Sequence, residues 1–481
     1  MLTKSLQENI KQLKKLYHDS DDLKTREFVS FSSIKTAIAY IDGSVDKPFL
    51  ISGVVEPLQK AEEIQKRDIA KFAMEKIVAY AQAKTETDIH TIISNMSNGF
   101  CVVLFDNCET AICVDSTKWT VRLPSEPPTS AVINGPREGF VEDLTTNVSL
   151  IRKRLKNPDT IFEKLEIGRY TKTQIRLCYI RGIVCPEIVK KIRKKLEAID
   201  IDGIVDSSYL TAFLEDRKHS LFKMVGTAEK PDIITAKVLE GRVAIIVDGS
   251  PIVLTLPFLI IEDFQNSNDY YGVSAKATFL RWLRLVGTLI AIILPGSYVA
   301  IMQYHYSIVP IKLLISIANS IQGIPLSPFL EILFVIFLFE ILYEASLRMP
   351  RYLGLALSVV GALILGDTAV KAGLVSPPAV MIIALTGVMS YTVPEQTGQI
   401  SCLRLIFTFL GGIFGFYGIL LGSMFLIGYL VSIENYGAAY LAPLAPHFHN
   451  DQKDAFNKKP ITAQITRPTS FPNVNNRRLR K

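Results

Sequence analysis

The sequence predicts an α+β front half joined to an all-α membrane half. Residues 279–432 are a succession of apolar runs with few charges. The first of these, FLRWLRLVGTLIAIILPGSYVAIMQ at 279–303, exceeds the roughly 20 residues that a helix needs to cross a bilayer. The residues before them alternate strand-like and helix-like patterns, and they do so twice in the same order. The expected fold is therefore a soluble region of two related α/β subdomains followed by a polytopic α-helical transmembrane domain.

The elements follow in order. Residues 1–30 read as a polar helical lead. A strand at 37–41 ends in the turn pair Asp42-Gly43. A helical stretch covers 55–97, and CVVLFDNCETAICV at 101–114 reads as a hairpin. The connector 123–155 opens with Pro124, Pro127, Pro128 and Pro136, which forbid a regular helix there. Its latter part, 142–155, reads as helix. Pro127, Pro128, Gly135 and Pro136 are the candidate hinge. The first pattern then recurs. IRLCYIRG at 175–182 is a strand, and 186–199 is a helix with proline in its first turn. The stripe of that helix is Ile188, Val189, Ile192, Leu196 and Ile199. RVAIIVDGSPIVLTLP at 242–257 is a second hairpin, turning at Asp248-Gly249. YIDG at 40–43 parallels YIRG at 179–182, and VVLFDN at 102–107 parallels AIIVDG at 244–249. The division expected is a lead (1–30), a first subdomain (31–122), connector and helix (123–155), a second subdomain (156–275), a transmembrane domain (276–435) and a basic cytoplasmic tail (436–481).

In the membrane half, span one covers about 281–303. Arg281 and Arg284 at its start hold the front half in the cytoplasm, and Pro295-Gly296 is expected to kink it. Span two, 328–347, carries Glu331, Glu340 and Glu344. Span three covers 352–373. Apolar runs follow at 377–393 and 403–432, with a weaker one at 306–322; an even number of crossings is expected, four with re-entrant pieces or six if both weak runs cross. Carboxylates inside a membrane are costly and are functional candidates by default. Glu340 and Glu344 share a helix face, Glu331 lies on roughly the opposite one, and Glu344 can instead pair with Arg348. In span three, Gly354, Ser358, Gly361, Leu365, Thr368 and Ala372 form a stripe of mostly small side chains. Such a stripe either packs helices closely or lines a narrow water path. Asp367 and Lys371 lie off it, four apart. Gly411, Gly415, Gly418 and Gly422 are expected to pack helices.

Composition excludes several classes. The 481 residues carry a net charge of +7, concentrated at 152–195 and 453–481, yet no nucleic-acid-binding motif accompanies the charge. The N-terminus lacks the apolar core of a secretory signal. Cys101, Cys108, Cys113, Cys178, Cys185 and Cys402 show no CxxC spacing and are expected as reduced thiols. His447 and His449 offer only two metal ligands, in a tail expected to be mobile. No metal or cofactor is expected. There is no GxSxG, P-loop, HExxH or GxGxxG, and Asp42, Asp106 and Asp248 read as turn residues. The expectation is a non-enzyme. A small-molecule cleft between the subdomains would draw on Arg181 and Arg242.

Four segments resemble the A subunits of spore germinant receptors: GPREGFVEDLTTNVSLIRKRLKNP (135–158), LEGRVAIIVDGSP (239–251), LRLVGTLIAIILPGSYVA (283–300) and FEILYEASLRMPRYLG (339–354). The resemblance runs from about residue 30 to 440 with the order kept. It implies a multi-pass protein of the spore inner membrane, with its N-terminal domain on the core side. It also implies partnership with a transporter-like B-type subunit, the nutrient sensor, and a C-type lipoprotein. A ring of A subunits around a nutrient-gated ion path is implied as well. Asp367 departs from the uncharged polar residue expected there: facing a pore it would favour cations, and paired with Lys371 it would not. A non-conducting assembly scaffold and a secondary transporter are the other readings.

Overall fold

The protein, seen in a computed structural model, divides into two compact units. The structure describes residues 2–31, 33–61, 69–76, 83–117, 135–217, 220–348 and 364–479. One unit comprises Met1–Leu259, Glu434–Ala438 and Ile461–Lys481; the other comprises Ile260–Ile433 and Ala439–Pro460.

The first unit holds two five-stranded antiparallel sheets. One contains β1 (Leu23–Ser30), β2 (Ile34–Ile41), β3 (Ala83–Glu86), β4 (Phe100–Phe105) and β5 (Ala111–Asp115). The other contains β6 (Thr160–Ile167), β7 (Thr173–Ile180), β8 (Gly226–Ala228), β9 (Val243–Val247) and β10 (Val253–Leu256). Their orders are β1-β2-β4-β5-β3 and β6-β7-β9-β10-β8, the same arrangement twice. The unbroken apolar runs become inner strands because alternate residues face two different cores. In β4, Val102 and Leu104 join the core under the Leu6–Leu16 helix, while Cys101, Val103 and Phe105 join the opposite one. In β9, Val243, Ile245 and Val247 face one core, and Ala244 and Ile246 face the other.

Four strands, β1, β3, β6 and β8, were hidden in the sequence. The lead expected over 1–30 is helical only from Leu6 to Leu16, and LKTREFVS is β1. This is an edge strand whose middle is largely solvated, so its apolar residues are too few to set an alternation. β6 is likewise an edge. The helical stretch expected over 55–97 is interrupted by β3, where AKTE, a run of helix-tolerant residues, pairs with β5. The hairpins at β4–β5 and β9–β10 and the helix Pro186–Glu197 stand where the pattern puts them.

The C-terminal segment is not a free tail. Val474 donates its N–H to the Ile183 carbonyl (2.8 Å), and Phe471 is buried beneath the Arg242 guanidinium. Asn435 and Tyr436 are likewise built into the first unit, the Tyr436 hydroxyl donating to the Leu214 carbonyl (2.8 Å). A basic composition reads as solvated, but a backbone hydrogen bond and a buried aromatic ring dock this segment.

The second unit contains the helices Ser274–Tyr304, Ile311–Ile321, Pro328–Arg348, Pro377–Ser390 and Thr397–Val431. Among the described residues, two helical segments are long and apolar enough to cross a membrane: Ser274–Tyr304 and Pro394–Val431. Pro328–Arg348 is long enough but carries three glutamates, and the first part of span three lies outside the described residues. Gly296 and Gly411 bring two backbones together: a Cβ on Gly411 would lie 2.3 Å from the Gly296 carbonyl oxygen. Close packing was the expectation for Gly411. Gly415 does something else. It adopts φ +61° and breaks the Thr397–Val431 helix, a conformation only glycine takes without strain. The break frees carbonyls of the preceding turn, and the Tyr304 hydroxyl donates to that of Gly412 (2.9 Å).

Candidate functional site

Packing between helices and spacing along them bring charges of the second unit into pairs. Arg404, on the Thr397–Val431 helix, is buried and donates to Glu340 on Pro328–Arg348. Its guanidinium also lies 3.4 Å from the Thr386 hydroxyl and 5.5 Å from the centre of the Phe339 ring. The Glu340 side chain keeps 33% of its surface exposed, against 1% for Arg404. Sequence reasoning singled out Glu340 and missed Arg404. The available signal was the lone cationic residue of the apolar run 403–432.

The remaining intramembrane candidates pair locally. Arg348 donates to Glu344 (2.8 Å), and Lys371 donates to Asp367 (2.8 Å), both exposed at i,i+4. Glu331, placed on the face away from Glu340, is the glutamate that is wholly buried. Its carboxylate accepts the backbone N–H of Ser376, at the start of the Pro377–Ser390 helix.

Of the small-residue stripe, Gly354, Ser358 and Gly361 lie outside the described residues. Leu365 and Thr368 belong to a wide helical turn, Ile364–Thr368. Thr368 and Ala372 are exposed, whereas Ala369 between them is buried. The visible end of the stripe therefore faces out of this single chain.

Arg281, expected as a membrane-flank charge, is instead fully buried. It donates to Asp269 (3.2 Å), Asp454 (3.0 Å) and the Ala455 carbonyl (2.6 Å). Arg284 grips the same Asp269 with two hydrogen bonds (2.8 and 2.9 Å). Burial pushes the Asp269 carboxyl upward, but the Arg284 hydrogen bond, the Asn266 N–H and the two guanidinium charges outweigh it and hold the group below the usual carboxylate range. A long-range partner at 454 cannot be read from local spacing.

In the first unit, the hinge residues Pro127 and Pro128 lie outside the described residues. Gly135 takes φ +117° and is exposed, with Pro136 half-buried beside it. The chain is tied down from Phe140, whose N–H donates to the Glu229 carbonyl (2.8 Å). The two repeats are joined by a buried ion pair. Arg152 donates through Nε to Asp22 (2.9 Å) and stacks on Phe162. Sequence reasoning placed no charge pair between the repeats, because its partners are 130 residues apart. Arg181 and Arg242 do not converge on one cleft. Arg181 bonds His18, and Arg242 covers Phe471.

The turn aspartates have structural tasks. Asp106 accepts the Leu6 N–H (3.2 Å), Asp248 accepts the Leu144 N–H (3.3 Å), and Asp42 pairs with Lys47 (2.8 Å). Among the described residues, no group of three or more acidic, histidine or cysteine side chains is placed to hold a metal.

The chain thus joins a duplicated α/β unit to a helical unit with internal ion pairs, two of whose helical segments are long and apolar enough to cross a membrane. The chain belongs to the Bacillus/Clostridium GerA spore germination protein family, whose family model matches residues 11–470. This is the family of germinant-receptor A subunits and not an enzyme class. The chain is 36% identical over 474 residues to spore germination protein KA of Bacillus subtilis (strain 168), covering 98% of this chain and 87% of that protein. It is 32% identical over 478 residues to the uncharacterized membrane protein YfkQ of the same organism, covering 98% and 93%. The crystal structure of the N-terminal domain of the A subunit of the Bacillus megaterium germinant receptor GerK3 matches 54% of this chain and 97% of that domain, at 30% identity and a TM-score of 0.44.

Proposed function

We propose that this protein is the A subunit of a nutrient germinant receptor in the spore inner membrane, and that it signals the start of germination as an oligomeric, ligand-gated ion channel. In this reading the second unit is a polytopic transmembrane domain and the N-terminal region lies on the core side. A transporter-like B-type subunit senses nutrient, and a C-type lipoprotein completes the complex. The small-residue stripe Gly354, Ser358, Gly361, Leu365, Thr368 and Ala372 lines the path. The connector around Pro127, Pro128, Gly135 and Pro136 passes on the change, and the chain does no chemistry of its own. Nutrient shifts the closed–open balance only by binding the two states unequally.

The observation that carries this reading is the Glu340–Arg404 pair. A buried arginine in an apolar helix is expensive, and its glutamate partner keeps a third of its surface open. An exposed charged face on such a helix is tolerable beside water or a neighbouring subunit, not beside lipid. Many apolar side chains also face outward, among them Phe279, Phe414, Tyr417, Leu421 and Phe425, which suits lipid and subunit contacts. YfkQ is described as a membrane protein, and the same placement is proposed for this chain.

The test is ion flux from liposomes holding the purified chain, with and without its B- and C-type partners. Replacing Ser358 or Gly361 with bulkier groups is expected to block nutrient-triggered flux while the complex still assembles. Loss of partner recovery with flux never seen would overturn the channel in favour of a scaffold.

A further inference from the structure

Glu331 is a charge of the second unit that the channel reading does not use. Glu340, Glu344 and Asp367 each meet an arginine or lysine. Glu331 forms no ion pair among the described residues and is fully buried. One carboxylate oxygen, Oε1, accepts the N–H of Ser376, the residue that caps the start of the Pro377–Ser390 helix. That contact sets Oε1 against the positive end of the helix dipole. The other oxygen, Oε2, is out of reach of solvent and has no hydrogen-bond partner among the described residues.

A second polar group lies in the same place. The hydroxyl of Tyr298, on the Ser274–Tyr304 helix, is also buried, and its neighbours are the Ser376 hydroxyl and Glu331. Around these polar atoms the packing is apolar: Val299, Ile332, Val335, Val375, Ala379 and Ile383. An uncompensated carboxylate oxygen in such surroundings costs several kcal/mol. A helix-capping role explains Oε1 alone. A water would satisfy hydrogen bonds but leave the negative charge unbalanced.

We propose that Glu331 Oε2, the Tyr298 hydroxyl and the Ser376 hydroxyl form a binding site for a monovalent alkali cation, held between three helices. All three donors are hard oxygens, and the single carboxylate matches a single positive charge. The site lacks the several carboxylates that divalent calcium draws on. It does not depend on conduction: a non-conducting scaffold would bind the ion equally, so this proposal and the channel reading fail separately.

The experiment is thermal unfolding of the full-length chain in detergent, in lithium, sodium, potassium or choline chloride at equal ionic strength. One alkali cation is expected to raise the midpoint over choline by about 2–4 °C, the shift expected from ligand linkage for a unit of this size. Glu331→Gln is expected to abolish that increment. Tyr298→Phe, which removes one oxygen and keeps the ring, is expected to raise the cation concentration needed by about tenfold and carries the test if Glu331→Gln does not fold. Equal midpoints in all four salts would overturn the site. So would an increment that survives in both variants, or stability that follows pH with no dependence on the cation, which would mean a proton or a water only.

Discussion

Asn9 and Asn147 stand at the same place in the two repeats and make the same bonds. Asn9 accepts the Thr3 N–H (2.8 Å) and returns a bond to the Thr3 carbonyl; Asn147 accepts the Val141 N–H (2.9 Å) and returns one to the Val141 carbonyl. Beside them, Asn107 N–H bonds the Lys4 carbonyl and Gly249 N–H bonds that of Glu142, each at 2.8 Å. These bonds close each repeat's first helix onto its own sheet, so each repeat needs its own set. Asp22 and Asp159 also correspond, each accepting through its carbonyl the N–H that follows β2 or β7 (Asp42, 2.7 Å; Arg181, 2.9 Å). Their side chains differ. Asp22 is buried against Arg152 of the other repeat, whereas Asp159 is half exposed beside His18. The closing bonds are duplicated and the joining bonds, of which Arg152–Asp22 is the buried ion pair, are not, because a chain with two repeats has one junction.

The strongest way to break the comparison is at that junction. Arg152→Ala leaves the Asp22 carboxylate buried and unpaired, with an expected loss of about 3–5 kcal/mol in denaturant unfolding of the first unit. Replacing both partners, with Asp22→Leu and Arg152→Met, is expected to recover most of it. A double variant as unstable as the single would mean that the pair is not what joins the repeats.

The closing bonds come next. Asn147→Ala strands one buried donor and one acceptor at Val141, an expected cost of about 2–3 kcal/mol. Asn9→Ala is expected to lose less, because Thr3 is only half-buried and water can replace the bonds. Hydrogen exchange should show protection lost at the Val141 amide in one variant and at Thr3 in the other. Loss at both sites in either variant would contradict separate closure.

The sequence carried the inner strands and the internal repeat because those depend on local alternation. In β4 and β9 every residue is apolar or small, and the turn aspartates that follow, Asp106 and Asp248, sit at matching positions. The edge strand β1 was illegible, since a strand with a solvated middle keeps too few apolar residues to show an alternation. The candidate site was legible only where partners lie one helical turn apart, as with Glu344 and Arg348. Arg404, Asp454 and the environment of Glu331 depend on segments 45 to 173 residues away from their partners, and spacing within one helix says nothing of these.

Acid separates the two units by smaller amounts. In the first, Glu138 is drawn up by burial but held lower by Arg154 and Lys153. In the second, Asp269 is held lower by Arg284 and Arg281. A carboxyl whose folded-state value is depressed stabilises the fold above its unfolded value, near 4, and loses that contribution as pH falls through the folded one. Both units are expected to weaken below about pH 4, the second more, because Asp269 is the more deeply buried. Asp269→Asn should flatten that part of the acid dependence in a thermal unfolding series from pH 7 to pH 3. An unchanged slope would mean that the cluster does not titrate on unfolding.

The smallest expected effect is the sharpest for the channel reading. Asp367 and Lys371 pair at the surface of the chain, both more than half exposed, and such a pair is worth about 0.5 kcal/mol or less. Asp367→Asn should therefore leave the unfolding midpoint nearly unchanged. Its effect on flux depends on where the carboxylate points. With its charge already met by Lys371, it gives a passing cation little attraction, and the ratio of cation to anion flux in liposomes is expected to stay the same. A fall in that ratio with unchanged stability would mean that the pair opens in the assembled protein and that Asp367 faces the ion path beside Thr368. The same substitution in a Lys371→Met background separates the cases. There the carboxylate has lost its local partner, so a pore-facing Asp367 should raise cation preference, and an outward-facing one should still change nothing.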